Sequence, residues 1–235
     1  MQVTRAAALL SLCGLVVVAC GGAPAPAPAP AHEHAHVHGA HAPLVHRFQS
    51  AEQWAKEFDD PARDEWQKPA EVVAAMRLEP GMTVADLGAG TGYFEPLLSR
   101  GVGAAGVVLA LDVEPDMVRY LGERAQREHL ANVRPALVAT DDPKLAAQSV
   151  DRILVVDVWH HIDARDAYVA KLRDALKPGG KVFVVDFEPD AKHGPPPKHR
   201  LSSATVEREL AAAGLAAETL TEALPEQYIV VGTRR

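Results

Sequence analysis

The chain has 235 residues, 48% of them hydrophobic and 5% aromatic, which suffices for one ordinary buried core but not clearly for two. Its formal net charge is -7, with acids and bases interspersed rather than blocked; no basic face neutralises phosphates, and nucleic acid is not an expected partner. Cys13 and Cys20 are the only cysteines, and both fall in the first twenty residues, which leaves the rest of the chain without a disulfide or a thiolate ligand.

Residues 1–19 read as an address. Arg5 precedes an apolar run from Ala6 to Ala19 that is too short to span a bilayer and ends in small residues, the pattern of a secretory signal peptide. Val17, Val18 and Ala19 before Cys20 resemble the lipobox of bacterial lipoproteins, which implies acylation of the Cys20 thiol and removal of everything before it. The resemblance implies an exported protein, held in the cell envelope by its lipid and facing the periplasm. An ordinary signal peptide, or an uncleaved apolar tail with an incidental cysteine, is the alternative.

Residues 20–47 change character abruptly. The repeated Ala-Pro of "GGAPAPAPAPAHEHAHVHGAHAP" favours an extended spacer, and so few large apolar side chains cannot offset the entropy of ordering, so a disordered tether is expected. It carries His32, His34, His36, His38 and His41, with His46 just beyond. Neutral imidazoles on such a segment can wrap Zn, Ni or Cu, although no spacing fixes a geometry. A metal-gathering tail and a soluble spacer with incidental metal affinity both fit.

From residue 48 to residue 235 the pattern is one alternating α/β domain. "SAEQWAKEFDDPARDEWQKP" and "AEVVAAMRL" read as helical pieces, "MTVADLG" as a strand, "GYFEPLLSRG" as a helix and "GVVLALDV" as a second strand. "EPDMVRYLGERAQREHL" follows as a helix with Met117, Tyr120, Leu121 and Ala125 on one face, then "VRPALVA" as a strand and "VDRILVVDVWHHI" as a buried strand. "DAYVAKLRDALKPGG" is a helix stopped by its Pro-Gly turn, "KVFVVDFEP" a strand, "SATVERELAAAG" a helix, and "ETLTEALPEQYIVVGTRR" a closing antiparallel hairpin. Strands joined by helices imply right-handed crossovers, hence a Rossmann-like open sheet, mostly parallel, with helices on both faces.

The stretch "VADLGAGTGYF" places Asp86, Gly88, Gly90 and Gly92 where the first strand ends, at the position of the ligand crevice in an open α/β sheet. A dinucleotide fingerprint needs a glycine at the sixth position counted from Gly88, which is Tyr93, and the Gly-Lys-Ser/Thr element of a phosphate-binding loop is absent. A carboxylate two residues before the glycines suits a ligand carrying a positive amine and would repel a pyrophosphate.

These residues resemble the class I S-adenosylmethionine-dependent methyltransferases of small-molecule type, and the resemblance runs from about Pro69 to Phe187. It implies that Gly88, Gly90 and Gly92 pack on the methionine part of S-adenosylmethionine and that Asp86 helps hold its amino group. It further implies that Asp112, expected at a strand end facing the crevice rather than in the core, accepts both ribose hydroxyls, one bidentate carboxylate matching two donors. By the same resemblance Met117 packs on the adenine, Asp141 accepts from the adenine amine, and Asp157 and His161 stand at the mouth of the fourth strand. Asp141 and Asp142 also fit an Asx turn before Pro143.

The sulfonium methyl is already electrophilic, so the protein has chiefly to align an acceptor and exclude water. His160, His161 or Asp157 is the candidate to take a proton from the acceptor. Tyr93 and Trp159 are candidates to line its pocket, and His193, Lys198, His199 and Arg200 would suit an anionic one. The absent core cysteines argue against trivalent arsenic, and "DVWH" replaces the Asn/Asp-Pro-Pro-Tyr motif of amino-methylating enzymes, which leaves small-molecule or lipid-like acceptors. Export would separate the domain from a donor made in the cytosol, so the competing reading is a non-catalytic lipoprotein that binds a small molecule or metal.

Overall fold

A computed structural model of the chain describes residues 50–221 and 224–235. The segments expected to be a signal peptide and a tether, with Cys20 and the tether histidines, lie outside the described residues.

Seven strands form one sheet in the order β3-β2-β1-β4-β5-β7-β6. They are β1 (Thr83–Leu87), β2 (Val107–Asp112), β3 (Val133–Leu137), β4 (Val150–Val156), β5 (Leu176–Phe187), β6 (Ala216–Thr219) and β7 (Gln227–Thr233). The first five run parallel, while β7 pairs antiparallel with both β5 and β6. The chain runs outward from β1 through β2 to β3 and then returns to β4 on the other side of β1. That reversal leaves a crevice at the carboxyl ends of β1 and β4.

Side chains alternate along each strand between two cores. Ala85, Ile153, Val155, Val182 and Val184 pack with helices α6 (Arg165–Ala175) and α7 (Ser203–Ala212). Val84, Val108, Ala110, Leu154 and Val185 pack with α3 (Pro69–Ala75), α4 (Glu95–Val102) and α5 (Pro115–Arg127). Both sheet faces are therefore apolar and covered, as parallel strands require, because each must be buried on both sides. A proline in the first turn starts each of α3, α4 and α5, at positions where a missing N–H costs nothing.

Two further helices, α1 (Ala51–Phe58) and α2 (Arg63–Gln67), precede α3. Ala51 N donates to Asp116 Oδ2 at 2.7 Å and Arg119 pairs with Glu52 at 2.6 Å, which docks α1 on α5. Asp59, just past α1, accepts from Thr91 Oγ1 at 2.9 Å and from Arg124 Nη1 at 2.8 Å. The N-terminal helices are thus tied to the glycine loop from outside.

Two boundaries differ from the sequence reading. Helix α6 stops at Ala175, ahead of the glycines, since Pro178 biases the residue before it towards extended backbone and Leu176 already pairs with Val150. The final antiparallel pair begins at Ala216 rather than at Glu218, with Ala216 opposite Thr233. Among the described residues no helix is long and apolar enough to cross a membrane.

Candidate active site

The glycine loop is shaped by backbone that only glycine adopts readily. Gly88, Gly90 and Gly92 have φ of 75°, 57° and 89°, in the left-handed region. Gly88 N and Ala89 N donate to Leu111 O at 2.8 and 3.0 Å, which folds the loop back over the end of β2. A Cβ on Gly88 would stand 2.4 Å from Val158 Cγ2, so the segment after β4 closes against the loop at this point. Above Gly90 lies the Phe58 ring, 3.6 Å from where a Cβ would sit.

Three acids converge here from separate elements. Asp86 is 3% exposed on β1, Asp112 is 7% exposed at the end of β2, and Glu95 is 1% exposed at the start of α4. Asp112 is more enclosed than a crevice-facing residue was expected to be, because its carboxylate organises backbone. Oδ2 accepts from Gly90 N at 2.8 Å and Oδ1 from Glu114 N at 2.9 Å. Burial raises its pKa above the ordinary carboxylate value, an effect opposed by those two N–H bonds. Each oxygen still has a second lone pair for a hydroxyl donor. Burial also pushes Asp86 up to about 7. Neither carboxyl oxygen of Glu95 has a hydrogen-bond partner.

On the other side of the crevice, β4 is followed by Asp157, whose φ of 58° is unusual for a residue with a Cβ. Its carboxylate closes a ring of polar side chains. Arg63 Nη2 donates to Asp157 Oδ2 at 3.3 Å and to Gln67 Oε1 at 2.9 Å, Gln67 donates to Gln227, and Gln227 donates to Asp157. Gln67 and Gln227 are buried, so the ring is the means by which both amides are satisfied. Burial pushes the Asp157 carboxyl up to about 7, outweighing the nearby Arg63 guanidinium.

His160 lies in a 3₁₀ turn, Trp159–His161, just beyond. Its Nδ1 is 3.0 Å from both carboxylate oxygens of Asp186 near the end of β5, and both side chains are buried. An imidazole that donates from Nδ1 keeps a lone pair on Nε2, so this pairing fixes the tautomer of a proton acceptor. His161 is exposed and its ring lies 4.2 Å from that of His160, centroid to centroid. Trp159 does not line the crevice: it is fully buried, and its Nε1 donates to Glu209 Oε2 on α7 at 2.8 Å.

An aromatic group gathers around Arg63 and the loop after β5. The Arg63 guanidinium stands 4.2 Å from the centroid of Tyr93, Trp66 lies 5.6 Å from Phe187, and His193 stacks on Trp66 at 5.0 Å. Arg200 is not an open anion receptor. Its guanidinium is spent on the carbonyls of Ala191, Pro195 and His193 at 2.6, 2.7 and 3.0 Å, which holds the loop after β5 together.

The remaining candidates fall as follows. Met117 is fully buried in α5 and presents almost no surface, whereas Val113, next to Asp112, and Leu137, paired with Asp112 across β2 and β3, are 42% and 45% exposed. Asp141 is exposed in a turn whose form is set by Asp142, with Asp142 Oδ1 accepting from Lys144 N at 2.9 Å, and the engaged group of Asp141 is its carbonyl, 2.6 Å from Lys171 Nζ. The Asx turn therefore describes Asp142. Among the described residues no group of three or more His, Cys, Asp or Glu is placed to hold a metal ion. Residues missed from sequence are Arg63, Gln67, Asp186 and Gln227. Only Asp186 had a signal, as an acid at the end of a strand in "KVFVVDFEP".

Residues 84–180 match a family model described as a methyltransferase domain. Over 122 residues the chain is 31% identical to the ubiquinone/menaquinone biosynthesis C-methyltransferase UbiE of Bordetella avium, covering 51% of this chain and 46% of that protein. Over 138 residues it is 30% identical to the UbiE of Shewanella frigidimarina, covering 58% and 51%. The chain thus spans about half the length of the curated relatives it matches. A SAM-dependent methyltransferase from Aquifex aeolicus superposes with a TM-score of 0.74 at 29% identity, covering 79% of this chain and 99% of that one. The chain therefore has the Rossmann-like fold of its methyltransferase neighbours, and its glycine loop lies inside the stretch that matches the methyltransferase domain model. Its cofactor is S-adenosylmethionine. Beside the buried acids Asp86 and Asp112, the positive-φ glycines leave the loop without side chains, and Val113 and Leu137 are exposed apolar side chains next to Asp112.

Proposed function

We propose that this protein methylates a small-molecule or lipid-like acceptor from S-adenosylmethionine while tethered to a membrane through lipidated Cys20, facing the periplasm. The observation that carries the reading is the placing, along the carboxyl ends of neighbouring strands β2, β1, β4 and β5, of the Asp86–Asp112 glycine-loop site and the His160–Asp186 pair. Asp86, Gly88, Gly90, Gly92 and Asp112 hold the donor. S-adenosylmethionine supplies an electrophilic methyl group when bound.

Asp186 holds His160 in one tautomer, and His160 Nε2 receives the proton of an acceptor hydroxyl, amine or acidic carbon. Asp157 takes its place in the polar ring at the mouth, where it positions Arg63 over Tyr93. Helices α1 and α2 and the loop after β5 exclude water from the transfer. The aromatic cover of Trp66, Phe187 and Tyr93 favours an acceptor with a flat or apolar body. The five tether histidines, His32, His34, His36, His38 and His41, stand apart from this chemistry and gather Zn, Ni or Cu in the same reading.

The test is methyl transfer from labelled donor by the full chain to a total lipid and small-molecule extract of cell envelopes. Label should enter the low-molecular-weight or lipid fraction, and His160→Ala should slow its entry by about 10²-fold or more, the usual worth of a positioned base. Undiminished transfer by the variant would remove His160 from the mechanism. Binding of donor with no transfer to any fraction would favour a binding lipoprotein instead.

A further inference from the structure

The turn that carries His160 is too short to hold its own shape. Trp159–His161 is a single 3₁₀ turn, closed by His161 N donating to Val158 O at 2.8 Å and Ile162 N to Trp159 O at 3.2 Å. Such turns have poor hydrogen-bond geometry and depend on what surrounds them. Asp186 on β5 grips the His160 ring, and one carboxylate on α7 grips the backbone around it. Glu209 Oε2 accepts from Trp159 Nε1 at 2.8 Å, the partner that a fully buried indole N–H requires. Glu209 Oε1 accepts from Arg165 Nε at 2.9 Å, and Arg165 Nη1 donates in turn to Ile162 O at 2.9 Å. The two oxygens of one side chain thus reach the residue before His160 and the second residue after it.

The strength of the Arg165–Glu209 pair does not account for this arrangement. The two side chains keep 25% and 23% of their exposure, and ion pairs this open to solvent add little to stability. Asp163 and Asp166 line the same shallow surface recess, so the acids there outnumber the base. What the pair supplies is direction. Arg165 is the first residue of α6 and Glu209 lies in the last turn of α7, so the carboxylate ties two helix ends to the turn between β4 and α6. Reach decides whether an imidazole works as a base: it must come within about 2.6 to 3.2 Å of the proton it takes, and a misplacement of about 1 Å can cost about 10²-fold. Asp186 fixes the ring, but not the backbone from which the ring hangs.

We propose that Glu209, with Arg165, is a positioning residue for methyl transfer: through Trp159 and Ile162 it sets the turn from which His160 presents Nε2 to the acceptor. The proposal rests on the methyltransferase reading with His160 as its base, and adds to that reading a side chain that touches neither donor nor acceptor.

The experiment measures transfer of labelled methyl from S-adenosylmethionine to the envelope extract by the full chain, well below the thermal midpoint of each variant, with S-adenosylhomocysteine affinity by calorimetry beside it. Glu209→Ala should slow transfer at saturating donor by at least about tenfold while that affinity stays within about twofold of the parent. Glu209→Gln keeps an oxygen for the indole but loses the charge that Arg165 grips; it should lose less, and it carries the test if the alanine variant does not fold. In a His160→Ala background neither substitution should slow transfer further, because the base they position is gone. In proton–nitrogen correlation spectra of the imidazoles, the His160 signals, assigned by their absence from His160→Ala, should show one tautomer in the parent and a mixture in Glu209→Ala as the turn drifts from Asp186. A parental rate or an unchanged His160 spectrum in Glu209→Ala, or equal slowing with and without the His160 side chain, would overturn the proposal and leave the methyltransferase reading standing. Undiminished transfer by His160→Ala would remove the base and the proposal with it, and no transfer by the parent would overturn the reading on which both rest.

Discussion

Asp112→Ala separates the two tasks assigned to that side chain. The substitution removes a carboxylate that accepts from Gly90 N at 2.8 Å and Glu114 N at 2.9 Å in a nearly closed environment. Bonds to a charged acceptor are worth about 1.5 to 3 kcal/mol each, so the pair amounts to about 3 to 6 kcal/mol before correction. Burial opposes the ionised form of Asp112, which offsets part of this and leaves a net loss of about 3 kcal/mol. At about 2 to 4 °C per kcal/mol for a domain of this size, thermal unfolding of the ligand-free chain should fall by about 6 to 12 °C. Two ribose hydroxyls also lose their acceptor, so affinity for S-adenosylhomocysteine should drop at least about tenfold, and the stabilisation it gives at fixed concentration should shrink accordingly. Differential scanning fluorimetry with and without that ligand reads both. An unchanged midpoint would refute the part given to the backbone bonds, and an undiminished ligand shift would refute the placement of the ribose.

Gly88→Ala forces a Cβ to 2.4 Å from Val158 Cγ2 at a φ of 75° and should cost about 1 to 3 kcal/mol of stability by chemical denaturation, with donor affinity weakened in step; a silent substitution would contradict the loop geometry. Asp186→Asn leaves His160 without the carboxylate that fixes its tautomer, so the turnover rate should fall while S-adenosylhomocysteine affinity is retained. An unchanged turnover rate would show that the pair is only structural. Cys20→Ala should release the protein from the membrane fraction, since stable anchoring needs the acylated terminus; full retention of the variant with membranes would refute the lipobox reading.

What could be read from the sequence was whatever is written locally. Asp86 and the three glycines lie within seven residues, and Asp112 follows the next strand, so strand ends alone place them at one crevice. The polar ring could not be read this way. Arg63 and Gln67 share α2 at i, i+4 spacing, but Asp157 and Gln227 come from two other parts of the chain, 94 residues from Arg63 and 70 from Asp157 respectively. No spacing rule links these three parts, and they meet only because β7 returns beside β5 while Arg63 reaches from α2 to Asp157. Trp159 misled for a related reason: its place after a strand suggested the pocket, but its indole N–H is satisfied by Glu209, 50 residues away on α7. Arg200 misled through composition. In a loop with three successive prolines the carbonyls outnumber the N–H groups available to pair with them, and the guanidinium supplies the missing donors.

The crevice suits a sulfonium amino acid nucleoside and not a dinucleotide. Titration of the full chain with S-adenosylmethionine, and with NAD as the control, tests this most directly. Tight one-to-one binding of S-adenosylmethionine with no measurable NAD binding is the predicted result, because Tyr93 stands where a dinucleotide loop needs its third glycine and the carboxylate of Asp86 would repel a pyrophosphate. Tight NAD binding, or no binding of S-adenosylmethionine, would contradict it.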